Sequence, residues 1–481
     1  MIGIFKRLRS SSGQSKVTTF FLGKMFSMFT SSVSADQLNR LVALLLFLLI
    51  THQGYVGLSM ENDGLIYASI AKHLALGQGS FWFPYSPFPE AAFHHHPPLG
   101  FWLQSKFFVV FGNHFWTENF YQFVCLMITL VSLRYSWQLS RGEAAGTWRV
   151  WLLYLCAPIV AFVFTDNFLE ASVTVFVCLA VLGQQLAYRQ SPNQMVLILA
   201  WLSFSALMTV FAFLTKGPVG LLPLAVPIVL GWMVEQQNQV IKICLTYWLL
   251  VLLVVAGVLL DADARLSMQR YIEFQWLGTA MGERPMVHGR SYLLFELSRN
   301  LFTLLLVFAV MAWRVKAQIN RVALGWLVIA LFATLPLLIS PRQFKWYLAP
   351  SMPFYALSLA CFLGPVLEPK RRQWLASLLV VGIMFLGLVI LSVRQFGTTD
   401  NDHEAVSDLR IIQTIVPFGA VVGVCEQEVH RPDRYFLYLS RHHSISVEAG
   451  TQFGFVFCSA PVQGMNRVGE SLKVIPLHKS P

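Results

Sequence analysis

The sequence predicts an all-α polytopic membrane protein with a small mixed extramembrane domain at its C-terminal end. Three observations carry this. Hydrophobic residues make up 56% of the 481 positions and charged residues only 12%, and the mean hydropathy of +0.59 lies far outside the range of a soluble domain. Apolar runs of about 20 residues, the length a helix needs to cross a ~30 Å hydrocarbon core, recur along the chain. Lys and Arg collect in alternate loops between those runs.

Eleven spans are predicted, at 41–59, 118–140, 150–165, 168–187, 196–215, 218–234, 243–260, 294–313, 322–340, 347–366 and 373–393. The N-terminal tail carries Lys6, Arg7, Arg9, Lys16, Lys24 and Arg40; the other inside loops carry Arg141, Arg149, Arg189, Lys242, Arg314, Lys316, Arg321, Lys370, Arg371 and Arg372. Positive residues near span ends stay cytoplasmic, so the N-terminus is expected inside and an odd span count puts the tail outside. No small-residue cleavage pattern closes the first apolar run, which therefore reads as an uncleaved anchor. The expected division is a cytoplasmic tail (1–40), a membrane domain (41–393) and a small periplasmic domain (394–481), in a bacterial inner membrane.

The net charge of +11 follows from this topology and from attraction to anionic headgroups, so nucleic acid is not expected as a partner. Cys125, Cys156, Cys178, Cys244 and Cys361 fall within spans and behave as small apolar side chains. Cys425 and Cys458 fall in the outside tail, where either a disulfide or two buried thiols would suit an oxidising compartment.

Two outside loops are long, 60–117 and 261–293; those at 166–167, 216–217 and 341–346 are short. In the first, Leu65, Ile66, Ser69, Ile70 and His73 recur at helical spacing, predicting an amphipathic helix over Gly64–Leu76. Pro84, Pro87 and Pro89 break it from the next element. Pro97-Pro98 opens a second apolar helix, Leu99–Phe111, too short to span and expected along the interface, a depth that suits Trp82, Trp102 and Trp116. In the tail, Val421–Val424 and Tyr435–Tyr438 read as strands or short helices.

Glu61-Asn62-Asp63, His94-His95-His96, Asp166, Lys216 and Lys345 all fall on the outer face under this numbering of spans. An ionisable residue at a span boundary is costly to hold, so each has two readings, structural and functional. Asp63 and Asp166 are either helix caps or catalytic carboxylates. Lys216 and Lys345 either snorkel or bind a phosphate at headgroup level, where Arg284 and Arg290 would join them. The His run is either solvated or supplies ligands for zinc or a similar divalent ion, with His288 from the other long loop completing the set. Taken as functional, the group suits glycosyl transfer from a lipid-phosphate sugar: cations or a metal stabilise the departing phosphate, and Asp63 takes the proton of the acceptor.

Asp63-Gly64-Leu65-Ile66-Tyr67-Ala68-Ser69-Ile70-Ala71, His96-Pro97-Pro98-Leu99-Gly100-Phe101-Trp102-Leu103, Asp166, Leu214-Thr215-Lys216-Gly217-Pro218-Val219-Gly220 and Lys345-Trp346-Tyr347-Leu348-Ala349-Pro350 resemble, in order and spacing, the ArnT-like and protein-mannosyltransferase-related bacterial glycosyltransferases. The resemblance covers about residues 40–365 and implies a GT-C fold and an inverting enzyme that uses a polyprenyl-phosphate sugar on the periplasmic face. It implies catalytic roles for Asp63 and Asp166, substrate binding by Tyr67, His96, Lys216, Lys345 and Tyr347, and metal ligation by His95 and His288. The acceptor would be a lipid or glycan, such as lipid A, or a protein. Two departures stand out: Gly64 replaces the acidic residue that often follows the first Asp, and His95-His96 stands where the family commonly has Glu-Lys.

A transporter or flippase would instead place polar residues near mid-bilayer, often in two related halves. Few candidates sit there: Arg134 and Pro158 are isolated, and the polar groups cluster at span ends. A non-catalytic partner subunit is the third class, kept open by the altered Gly64 and His95-His96.

Overall fold

The computed structural model describes residues 34–87, 92–143, 145–278, 281, 288–313, 317–340, 342–364, 371–399, 402–424, 434–449 and 456–457. Most of the N-terminal tail, Pro89, Arg284, Arg314, Lys316, Lys370, Cys425 and Cys458 lie outside them.

The chain is a multi-pass helical membrane protein. Helix α1 (Ala35–Val56) starts at a capping box in which Ser34 and Gln37 satisfy each other's backbone N–H groups. The first outside loop holds α2 (Asn62–Ala75) and α3 (Leu99–Phe111). Then follow α4 (Thr117–Arg141), α5 (Thr147–Leu155), α6 (Pro158–Thr165), α7 (Leu169–Arg189) and α8 (Met195–Lys216). Helices α9 (Val226–Met233), α10 (Gln237–Val258), α11 (Ala262–Tyr271), α12 (Tyr292–Ala312), α13 (Arg321–Ile339), α14 (Met352–Phe362) and α15 (Arg371–Gln395) complete the bundle.

Among the described residues eight helices are long and apolar enough to cross a membrane, or nine when the bent pair α5 and α6 counts as one span. The expected eleven are not confirmed by that measure. The shortfall has local causes. The expected 150–165 span is broken by 75° where Pro158, lacking a backbone donor, restarts the helix after extended Ala157. The expected sixth and tenth spans each begin as a tight 3₁₀ segment, Gly217–Leu224 and Lys345–Ser351, before the short helices α9 and α14. The chain doubles back at Gly217, whose φ of +76° suits a residue without Cβ. A Cβ on Gly220 would lie 2.4 Å from the Ala212 carbonyl carbon, so the 3₁₀ segment packs directly on α8.

Helix α7 is the centre of the bundle, buried over 78% of its most apolar window. It packs on α4 and α8 and carries the next layer outward.

The tail forms α16 (His403–Ile415), α17 (Arg434–His443) and a parallel sheet of order β2-β1-β3 from Val421–Val424 (β1), Ser446–Ala449 (β2) and Val456–Phe457 (β3). Tyr435–Tyr438 is therefore helical. Helix α2 is not a half-exposed interfacial helix: Gly64, Leu65 and every residue from Tyr67 to His73 are buried, because α17 covers the side that the membrane domain leaves open. Helix α3 has the predicted bounds and leaves Val109 and Val110 exposed.

Candidate active site

The turn between α6 and α7 holds the start of α2. Asn167 adopts φ +56°, donates from Nδ2 to the Gly64 carbonyl at 2.9 Å, and accepts from Gln122 at 2.9 Å. The Asp166 carbonyl lies so close to Gly64 that a Cβ there would come within 2.1 Å of it. Gly64, a departure from the resembled pattern, is thus what lets Asp63 approach α7.

Tyr67, one helical turn after Asp63, donates to its carboxylate at 3.3 Å and meets His96 Nε2 at 3.0 Å. Lys216, at the end of α8, points its amine into the same region: Nζ lies 5.5 Å from the Tyr67 ring centre and 5.7 Å from that of Tyr347, a cation–π arrangement. It pairs with Glu170 in the first turn of α7 at 2.6 Å, both side chains being buried. Asp63, Tyr67, Lys216 and Glu170 therefore form one continuous cluster.

Of that cluster Lys216 lines a cavity of about 700 Å³. Its polar end is lined by His96, Lys216, Tyr271, Gln275, Arg342 and Tyr347; its apolar arm by residues including Leu221, Leu222, Leu224, Phe332, Pro336 and Leu337. One end suits an anion, the other a hydrocarbon chain.

Asp166 lies beside the cluster, where it accepts from the Glu61 N–H at 3.3 Å and from the Thr165 hydroxyl at 3.3 Å. Burial, then the nearby Glu61 charge, push its carboxyl up to about 6. Lys345 sits 3.5 Å above the Phe162 ring, near enough to Asp166 to oppose that rise. It does not line the cavity.

The two proposed metal ligands have separate surroundings. The His95 ring packs on Phe93 and Phe274; that of His288 stacks on Tyr292 at 3.9 Å. No group of three His, Cys, Asp or Glu able to hold a metal occurs among the described residues. Arg290 is exposed.

Sequence reasoning missed Glu170, Arg342, Tyr271 and Gln275. A carboxylate within a predicted span was a usable signal for Glu170. Tyr271 and Gln275 flank the start of a π-helical turn, Ile272–Leu277, which periodicity does not reveal.

The model superposes on the crystal structure of ArnT from Cupriavidus metallidurans bound to undecaprenyl phosphate with a TM-score of 0.64, covering 91% of this chain and 98% of that one at 15% identity. This is the GT-C glycosyltransferase fold. The apo state of the same ArnT matches with a TM-score of 0.63, covering 90% of this chain and 97% of that one at 15% identity. An oligosaccharyltransferase from Archaeoglobus fulgidus, in complex with zinc and sulfate, matches with a TM-score of 0.50, covering 86% of this chain and 62% of that one at 13% identity. Within this GT-C chain, residues 95–260 match the family described as dolichyl-phosphate-mannose-protein mannosyltransferase. No curated protein matches by sequence.

Proposed function

We propose that this GT-C protein is an inverting membrane glycosyltransferase that moves a sugar from a polyprenyl-phosphate donor to a lipid or glycan acceptor, such as lipid A, on the periplasmic face of a bacterial inner membrane. The observation that carries the reading is one cavity lined both by the Lys216 and Arg342 cations and by a set of apolar side chains. A polyprenyl phosphate has that same division, and the ArnT relative was crystallised with undecaprenyl phosphate.

In this reading the prenyl chain lies along Leu221 and Leu222, and Lys216 and Arg342 hold the phosphate. The acceptor hydroxyl attacks the anomeric carbon from the side opposite the phosphate, and the bond from that carbon to the phosphate oxygen breaks with its electron pair leaving on the oxygen. Lys216 and Arg342 stabilise the growing charge, and Asp63, oriented by Tyr67, takes the hydroxyl proton. His96 shares the Tyr67 hydroxyl and fixes its direction. Asp166 shapes the turn beneath Asp63. In this reading the positive charge at the phosphate comes from the Lys216 and Arg342 side chains.

The mannosyltransferase match over residues 95–260 favours a protein acceptor as the second reading. Lipid and glycan mass spectrometry of cells with and without the gene, complemented by wild type or Asp63→Asn, separates the two. A glycoform that vanishes with the gene and stays absent with Asp63→Asn supports the proposal; full restoration by Asp63→Asn removes the catalytic assignment.

A further inference from the structure

The tail reaches far into the membrane domain's outer face. Arg441 of α17 is fully buried and donates to both carboxylate oxygens of Glu118, at 2.7 and 2.5 Å. It also donates to Asn113 Oδ1 at 2.5 Å and to the His114 carbonyl at 2.8 Å. Glu118 sits in the first turn of α4, so the guanidinium ties the tail to the root of a membrane helix. Each of these contacts is a charge-assisted hydrogen bond, and the two to Glu118 are buried.

The same short helix also grips α2. Lys72, buried to 2% exposure, donates to the Ser440 and Arg441 carbonyls at 2.5 and 2.6 Å. Those carbonyls lie in the last turn of α17, where a cation offsets the negative end of the helix dipole. Ser69 and Ser440 share a hydrogen bond between their hydroxyls. Met60 and Leu65 pack against Val406, Leu437 and Tyr438, and the Met60 N–H points to the Tyr438 hydroxyl at 3.4 Å. Helix α2 is thus fixed at both ends by the tail, and Asp63 lies about 14 Å along its axis from Lys72 at 1.5 Å per residue.

We infer that α17 is a positioning strut for the active site: Arg441, locked to Glu118, and Lys72, capping α17, hold α2 at the depth where Asp63 meets Tyr67 beside the cavity residue His96. Arg441 is a positioning residue in this scheme and touches no substrate. The inference rests on the reading of Asp63 as the proton acceptor. It gives the tail a direct effect on turnover. Small displacements of a reacting group are costly to rate and nearly silent in donor binding, and apart from His96 the residues that line the donor cavity come from Lys216 onward, away from α2 in the chain.

The test uses the full chain reconstituted in lipid, with Arg441→Met read by donor KM, kcat and hydrogen exchange of Asn62–Ala75. Expected are a kcat lower by about 10- to 100-fold, a KM changed by less than about twofold, and faster exchange in Asn62–Ala75 with α8 unchanged. Adding Ser69→Cys and Ser440→Cys to Arg441→Met supplies a covalent strut, and its oxidised form should regain kcat while the reduced form does not. An Arg441→Met protein with unaltered kcat and exchange overturns the inference. So does exchange that accelerates throughout the membrane helices with no recovery on oxidation, which would make Arg441 a stability residue only. Retained turnover in Asp63→Asn would instead overturn the catalytic reading, and the exchange measurement would still report on the strut.

Discussion

The Lys216 ammonium lies 2.6 Å from the Glu170 carboxylate, with 3% and 0% of the two side chains exposed. Among the described residues neither group has another hydrogen-bonding partner. A buried pair of this kind is worth little against an apolar replacement but costly to halve. Lys216→Met should therefore lower stability by about 3 to 5 kcal/mol, and adding Glu170→Gln should restore most of it. Equal losses in the single and double variants, measured by unfolding in lipid–detergent micelles, would show that the pair is not coupled.

Gly64→Ala should disrupt the site from one methyl group. Its Cβ would sit 2.1 Å from the Asp166 carbonyl oxygen and 2.9 Å from the Met60 side chain, and backbone cannot yield as a side-chain tip can. The expected cost is about 1 to 3 kcal/mol, together with a fall in transfer rate as Asp63 is pushed from Tyr67. Wild-type activity and melting temperature would contradict the close approach.

Tyr67→Phe removes the hydroxyl that joins Asp63 to His96. A hydrogen bond to a charged group contributes roughly 1.5 to 3 kcal/mol, so kcat should drop by about 10- to 100-fold while donor KM stays nearly constant. Steady-state kinetics with a labelled donor decides it: a change confined to KM would place Tyr67 in binding alone.

Asp166 should give the protein a pH-dependent stability. Its folded carboxyl is raised to about 6 from an ordinary value of 3.8, so the folded state holds its proton longer than the unfolded one. That contribution is complete below pH 3.8 and lost as pH rises through about 6, a change of about 1 to 3 kcal/mol. Asp166→Asn should flatten the difference between pH 4 and pH 7. An unchanged slope would mean the carboxyl is not held in that state.

Much of this was legible in the chain. Apolar runs marked the spans because a membrane helix needs length and hydrophobicity wherever it sits, and Asp63, Tyr67, His96, Lys216 and Tyr347 do converge. What could not be read there depended on three dimensions. Glu170 reads as an ordinary acidic residue in a helix's first turn until Lys216, far away in sequence, is seen beside it. Lys345 resembles a phosphate contact by motif, yet the turn before its 3₁₀ segment directs it onto Phe162. The bend at Pro158 and the two 3₁₀ starts shorten helices in ways that hydropathy averages over. The tail's role was hidden because Arg441 and Glu118 are paired across 323 positions, with no local pattern to announce it.

The most direct test of the account is the affinity of the purified protein for a polyprenyl phosphate. Wild type is compared with a Lys216→Met and Glu170→Gln double variant, which leaves no lone buried charge. Removing this cavity-lining cation should weaken binding by about 10- to 100-fold, equivalent to roughly 1.4 to 2.8 kcal/mol, with the fold intact. Equal affinity in the two proteins would contradict the account, because the lipid phosphate would then be held somewhere other than at Lys216.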